Sequence, residues 1–155
     1  MIRKNRSLET LFWSIAFPGF GQLLNGRYVK GILLVILELL VNVNANFNQI
    51  ILLSFQGEIS KAIQITNYQW LMFYPCLYFF AMWDAWNDSA EIKDKYAFLP
   101  FVFSGYSVTV GCIYSSQFEI FGILLGPVWL PILCVIPGLI VGLLIKAMIN
   151  RKKYL

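Results

Sequence analysis

Residues 8–24 read LETLFWSIAFPGFGQLL, and whether this stretch crosses a bilayer or turns back inside it decides the fold. Its first ten residues can form an unbroken apolar helix. Pro18, Gly19 and Gly21 then interrupt it, because proline stops a helix and glycine permits a tight reversal. Ten residues at about 1.5 Å each reach about 15 Å, half of a hydrocarbon core about 30 Å thick. The stretch therefore predicts a hairpin that dips in and returns, although hydropathy alone is compatible with a complete crossing.

That the solvent is a bilayer follows from composition. Of 155 residues, 59% are hydrophobic and 13% charged, against about 45–50% and about 25% in soluble domains. Too few charges remain to clothe a water-facing surface. The chain reads as an integral membrane protein, and the same figures exclude a disordered chain, a coiled coil and a secreted disulfide scaffold. Arg3, Lys4 and Arg6 before an apolar stretch also fit the start of a signal peptide. No small-x-small cleavage site follows, so the segment is expected to be retained.

Five apolar runs cover residues 8–24, 31–55, 70–86, 98–116 and 118–149. The last four are long enough to span, and the final run holds Pro127, Pro131 and Pro137, where it can kink. The 12 basic residues choose the topology. If all five runs cross, they divide eight against four; if the first dips and returns, eleven share one side and only Lys61 lies opposite. The second division satisfies the positive-inside rule far better. The predicted fold is an all-α polytopic membrane bundle: one domain over residues 1–155, four spans plus an N-terminal re-entrant or interfacial helical hairpin, both termini cytoplasmic, in the cell membrane. Five spans is the alternative. Tyr68 with Trp70, and Trp83 with Trp86, fall where interfacial aromatic belts belong, as do Tyr28, Tyr96 and Tyr154.

Helices in lipid associate through small residues that let backbones approach. Gly122 with Gly126, and Gly138 with Gly142, form two Gly-x-x-x-Gly pairs in the last run, and Ser107, Gly111 and Ser115 recur in the run before it. These predict a close hairpin of the last two spans.

Two groups of residues are candidates for more than packing. Glu38, Asn42, Asn46 and Gln49 fall within an arc of about 80° if the second run is one helix of about 100° per residue. A charge within a span costs about 2.5–3.5 kcal/mol on insertion scales and is a functional hypothesis by default. This face can be a polar track for an ion, a proton or a polar substrate. The asparagines can equally mark a helix end at the outer headgroups, with residues 50–65 continuing as an interfacial segment, but Glu38 is too deep for that reading. The second group is Pro18, Gly19, Gly21, Gly26, Arg27 and Gly31 with Asp84: the turn puts Arg27 at the cytoplasmic mouth, where Asp84 also falls. An Arg27–Asp84 pair is expected to tie the hairpin to the third run.

The run Pro18-Gly19-Phe20-Gly21-Gln22, then Gly26-Arg27-Tyr28 and Lys30-Gly31, with the later Asp84-Ala85-Trp86, resembles small bacterial membrane proteins related to the two-transmembrane-helix domain family. That family carries a Gly-x-Gly … Arg-Phe-Tyr-Leu-Gly turn between two apolar helices. Gly19, Gly21, Gly26, Arg27, Tyr28 and Gly31 match it, over about a fifth of the chain; the Phe-Tyr-Leu-Gly order is lacking, and the chain extends well beyond two helices. The resemblance implies the hairpin and no activity.

Absence of histidine removes Ser-His-Asp and Cys-His catalysis, the usual zinc sites and imidazole haem ligation. Cys76, Cys112 and Cys134 sit in apolar runs without Cys-x-x-Cys spacing and read as buried hydrophobes. The mixed charges of residues 87–96 read as a solvated connector. No catalytic motif, cofactor or metal site is expected. The reading is a non-enzymatic accessory, regulatory or immunity-type membrane protein, whose partners are the lipid bilayer and either another membrane protein or a second copy, with no nucleic acid. The alternative is a small oligomeric channel or transporter using the Glu38 face.

Overall fold

The structure is a computed structural model that describes residues 4–91 and 93–152. Helix α1 (Lys4–Ala16) ends at Pro18-Gly19, where Gly19 takes φ 101°, a left-handed value that favours glycine. The chain reverses there into α2 (Phe20–Leu24), turns again at Asn25-Gly26 and enters α3 (Tyr28–Ala45). The expected hairpin is thus present as a reversal, and its first helix begins earlier, at Lys4. Of the terminal residues used above, Arg3, Lys153 and Tyr154 lie outside the described residues.

Residues 31–55 do not form one helix. Asn46 adopts φ 60°, which ends α3 and starts α4 (Phe47–Phe55). Asparagine visits this region more readily than most side chains, and here Asn46 Nδ2 donates to Ile65 O at 2.9 Å, at the end of α5 (Ile59–Ile65). The third run also breaks. Met72 separates α6 (Tyr68–Leu71) from α7 (Phe73–Ser89), and α7 continues past Trp86 to carry Asp88 on the helix. Helix α8 (Leu99–Tyr114) lies inside the expected run. The last run opens instead as a β-hairpin, β1 (Glu119–Ile120) against β2 (Ile123–Leu124), with Phe121 and Gly122 both at positive φ in its turn. Only then does α9 (Gly126–Lys152) begin.

The fold is mostly helical with little sheet. Two stretches, α3 and Gly126–Arg151 of α9, are long and apolar enough to cross a membrane, and α8 is a shorter apolar helix. Helices α8 and α9 share the most extensive interface, and small residues explain it. A Cβ on Gly138 would lie 2.6 Å from Phe103 O, and one on Gly142 would lie 2.5 Å from Pro100 Cα. Backbone meets backbone there, as the glycine spacing predicts. The other pair is corrected: Gly122 sits in the β-turn with no atom within 4 Å of a Cβ, and Gly126 faces Ile59 of α5. Gly122 precedes the helix, and Gly126 is the first residue of α9 and meets α5, so the two do not line the α8–α9 seam.

Helix α1 packs on α7, α7 packs on α8, and α2 fills the space between α1, α3 and α7. At the other end α4 and α5 rest on α9 around Ile50, Ala62 and Val128. Charges gather at these two ends. Helix α9 starts beside Ile59, next to the Glu58–Lys61 pair at 3.2 Å. Its Lys146 meets Asp94, in the connector after α7, at 2.6 Å. The twenty residues between measure about 30 Å, the thickness of a hydrocarbon core.

Candidate functional site

The hairpin motif is a polar joint. Helix α1 turns Thr10 and Ser14 inward, both buried, and Thr10 Oγ1 lies 2.8 Å from Ser89 Oγ of α7. Ser14 satisfies itself on Thr10 O at 2.9 Å. Gly21 lets α2 lie in this corner: a Cβ there would stand 2.5 Å from Thr10 O and 2.7 Å from Ala85 Cβ. Gly19 and Gly31 serve the α2–α3 side in the same way, with a Cβ on Gly19 falling 2.6 Å from Gly31 O.

Side chains then tie the turn to α7. Gln22 is fully buried and its Nε2 donates to Ala81 O at 2.9 Å and to Asp84 Oδ2 at 3.1 Å. Asn25 Nδ2 donates to Ala85 O at 2.8 Å. Tyr78 donates its hydroxyl to Ile15 O, near the deep end of α1. The ion pairs correct the sequence expectation. Asp84, 7% exposed, receives Lys30 Nζ at 2.7 Å, whereas Arg27 Nε reaches Asp88 Oδ2 at 3.2 Å. One turn of helix separates Asp84 from Asp88, and three residues separate Arg27 from Lys30. The four charges therefore form one network, with Lys30 on Asp84, Arg27 on Asp88, and Lys30 Nζ also 3.8 Å from Asp88 Oδ2. Lys30 and Asp88 were legible as the i+3 and i+4 neighbours of residues already singled out.

Glu38 lies deeper on the same helix and is 3% exposed. It faces the Tyr74 hydroxyl of α7, with Tyr78 one turn further along. Its Oε2 has no hydrogen-bond partner among the described residues. The polar track does not assemble, because the break at Asn46 takes Asn46 and Gln49 off the α3 face and leaves both exposed. Asn42 turns to Asn48 Oδ1 at 3.2 Å, and Asn44 to Leu40 O at 2.7 Å. Spacing within α3 gave no sign of Tyr74 and Tyr78, since they come from another helix; their own i, i+4 spacing on α7 was the available signal.

Tyr74 and Tyr78 also line an apolar cavity of about 370 Å³ that reaches Leu71, Cys112, Val128 and Pro131. A second, of about 520 Å³, opens between α7 and α8 and is walled by Phe79, Trp83, Phe98 and Tyr106. The described residues hold no group of three His, Cys, Asp or Glu side chains placed to bind a metal ion. Asp94 in the connector is electrostatically held: the Lys146 ammonium beside it, with the Tyr96 N–H donating at 3.0 Å, keeps its carboxyl below the usual carboxylate range. No family model, no curated protein and no solved structure matches this chain.

Proposed function

We propose that the chain is a four-span membrane protein, crossing through α3, α6–α7, α8 and α9, with α1–α2 as a re-entrant or interfacial hairpin and both termini cytoplasmic. It works without catalysis, as an accessory or regulatory factor that packs against another membrane protein or lipid. One observation carries this reading: most polar side chains of the hairpin are engaged within the chain, chiefly on α7, while the flanks are apolar. Ile32, Leu33, Ile36, Leu39, Leu40 and Val43 of α3 are all exposed, which suits lipid or a helical neighbour. The distance of about 30 Å between the Glu58–Lys61 end and the Asp94–Lys146 end supports the span count. The motif of residues 18–31 leaves kinship with the two-transmembrane-helix domain family as part of the same proposal.

The second reading, a small oligomeric channel or transporter, is favoured by the unpartnered carboxylate oxygen of Glu38. Ion and proton flux through reconstituted liposomes separates the two. Absence of flux, together with a stoichiometric partner recovered by crosslinking from the native membrane, is the expected result. Protein-dependent flux abolished by Glu38→Gln would overturn it. Topology is tested separately, with a thiol reagent that cannot cross membranes: Lys61→Cys and Lys93→Cys are expected to label from opposite faces.

A further inference from the structure

Beside the hairpin joint, an open cavity of about 370 Å³ lies between Arg6 of α1, the Asn25-Gly26-Arg27 turn, and the end of α7 with Asp88 and Glu91. It differs from the two apolar cavities in that its walls are mainly polar. Two guanidiniums line it. Arg6 uses Nη2 on Leu24 O at 3.0 Å, and Arg27 uses Nε on Asp88 Oδ2 at 3.2 Å. A guanidinium has five N–H donors, so both retain donors for an oxyanion. The space beside Gly26 is open, since a Cβ there would meet nothing within 4 Å. The carboxylates of Asp88 and Glu91 line the same cavity, Asp88 beside Arg27 and 3.8 Å from Lys30.

A lining of two guanidiniums and two carboxylates, with Arg27 and Asp88 already in contact, suits a ligand that itself carries both signs. A headgroup with only a phosphodiester would bring negative charge against Asp88 and Glu91. A quaternary ammonium has no N–H to give them and is better held by aromatic rings. A primary ammonium offers three donors, and two carbons join it to the phosphate in phosphoethanolamine. We infer that this cavity seats the phosphoethanolamine headgroup of a bilayer lipid, with its phosphate on Arg6 and Arg27 and its ammonium on Asp88 and Glu91. The inference rests on the four-span reading, which places this end of the molecule at headgroup depth on the cytoplasmic side, and it names the lipid against which that face packs.

The test is native mass spectrometry of the full chain in mild detergent, offered equal amounts of phosphatidylethanolamine, phosphatidylglycerol and phosphatidylcholine with identical acyl chains. Retention of the ethanolamine lipid is expected at about tenfold over either competitor, the scale of one charge-assisted hydrogen bond. Arg6→Gln is expected to lower that retention by about the same factor. Glu91→Gln, which breaks no hydrogen bond among the described residues, is expected to keep lipid binding but remove the preference over phosphatidylglycerol. It carries the test alone if Arg6→Gln impairs folding. Equal retention of the three lipids, preference for phosphatidylglycerol, or indifference to Glu91→Gln would overturn the assignment. So would displacement of the lipid by free phosphoethanolamine at the lipid's own concentration, which would make a soluble molecule the ligand. Labelling of Lys61→Cys and Lys93→Cys in sealed membrane vesicles, before detergent extraction, keeps the outcomes apart: correct topology with no lipid preference defeats the headgroup site alone.

Discussion

Lys30 Nζ stands 2.7 Å from Asp84 Oδ1, and through that contact α3 holds α7 against the N-terminal hairpin. The two ends of the pair are unequal, with 51% of the Lys30 side chain exposed and 10% of that of Asp84. Removing the lysine strands a nearly buried carboxylate, while removing the carboxylate returns an ammonium to water. Lys30→Gln is therefore expected to cost about 1 kcal/mol in thermal unfolding in detergent, well below a fully buried pair because the ammonium is half in solvent. Asp84→Lys alone places two cations together and is expected to cost more. The double exchange of Lys30 and Asp84 should recover part of the loss, whereas pairing Asp84→Lys with Arg27→Asp should recover little. The reverse ranking would restore Arg27 as the partner of Asp84.

Two glycines of the last apolar run give a contrast, Gly142 on α9 and Gly122 in the β-turn before it. Gly142→Ala puts a methyl 2.5 Å from Pro100 Cα and 2.7 Å from Leu99 O, both backbone atoms that cannot swing aside. Separating α8 from α9 is expected to cost about 1–3 kcal/mol, the range for overpacking a tight interface. Gly122→Ala meets no neighbour and loses only the freedom of its φ of 76° in the β-turn. Its cost is expected at about 1 kcal/mol, from left-handed backbone alone. Thermal unfolding of the two variants in one detergent decides the matter; a Gly122 variant as damaging as Gly142→Ala would reinstate that glycine as a packing position.

The reversal at Pro18-Gly19 and the seam at Gly138 and Gly142 were legible because local chemistry decides them: a missing donor, and a missing Cβ at helical spacing. The break at Asn46 was not. Residues 31–55 are apolar apart from Glu38, Ser54 and five amides, and the α3 end coincides with a bond from Asn46 to Ile65, nineteen residues away. The same holds for β1 and β2, whose Ile120 and Ile123 belong to an apolar run that fits a helix as well as a strand. Pairing at the candidate site was legible by class and not by partner. Arg27 and Asp84 stood out as charges beside apolar spans, but which cation meets which carboxylate depends on how far α3 slides along α7. That register depends on α2, which packs on both α3 and α7, and on contacts between segments distant in sequence.

Glu38 provides a prediction that does not depend on transport. Its Oε2 is buried with no partner among the described residues, and burial without hydrogen bonding penalises an ionised group far more than an amide of the same shape. Glu38→Gln is expected to leave the fold intact and to raise thermal stability by about 1 kcal/mol. Tyr74→Phe, which removes the hydroxyl facing the carboxylate, is expected to lower it. Thermal unfolding of both variants checks the pair, and a fall in stability for Glu38→Gln would mean that the carboxylate has a partner it needs.

Asp94 gives a pH dependence whose sign is fixed by its neighbours. Lys146 and the Tyr96 N–H hold its carboxyl below the ordinary range, near 3.9 for aspartate in an unfolded chain. Because the folded-state value is the lower one, the unfolded chain takes up the proton first as pH falls. The contribution is therefore fully present above about pH 4 to 5 and is lost below it, as pH descends through the folded value. Its size is expected to be less than about 1 kcal/mol, since the Asp94 and Lys146 side chains keep 34% and 26% of their exposure and water screens the pair. Asp94→Asn should remove this component, so that wild type and variant converge in unfolding temperature at low pH and separate near neutrality. Equal separation at every pH would show that Asp94 acts through its hydrogen bond to Tyr96 and not through charge. Lys146→Gln distinguishes the two further: it should reproduce the loss near neutrality while leaving the turn at Asp94 intact, because the Tyr96 N–H still donates to the carboxylate.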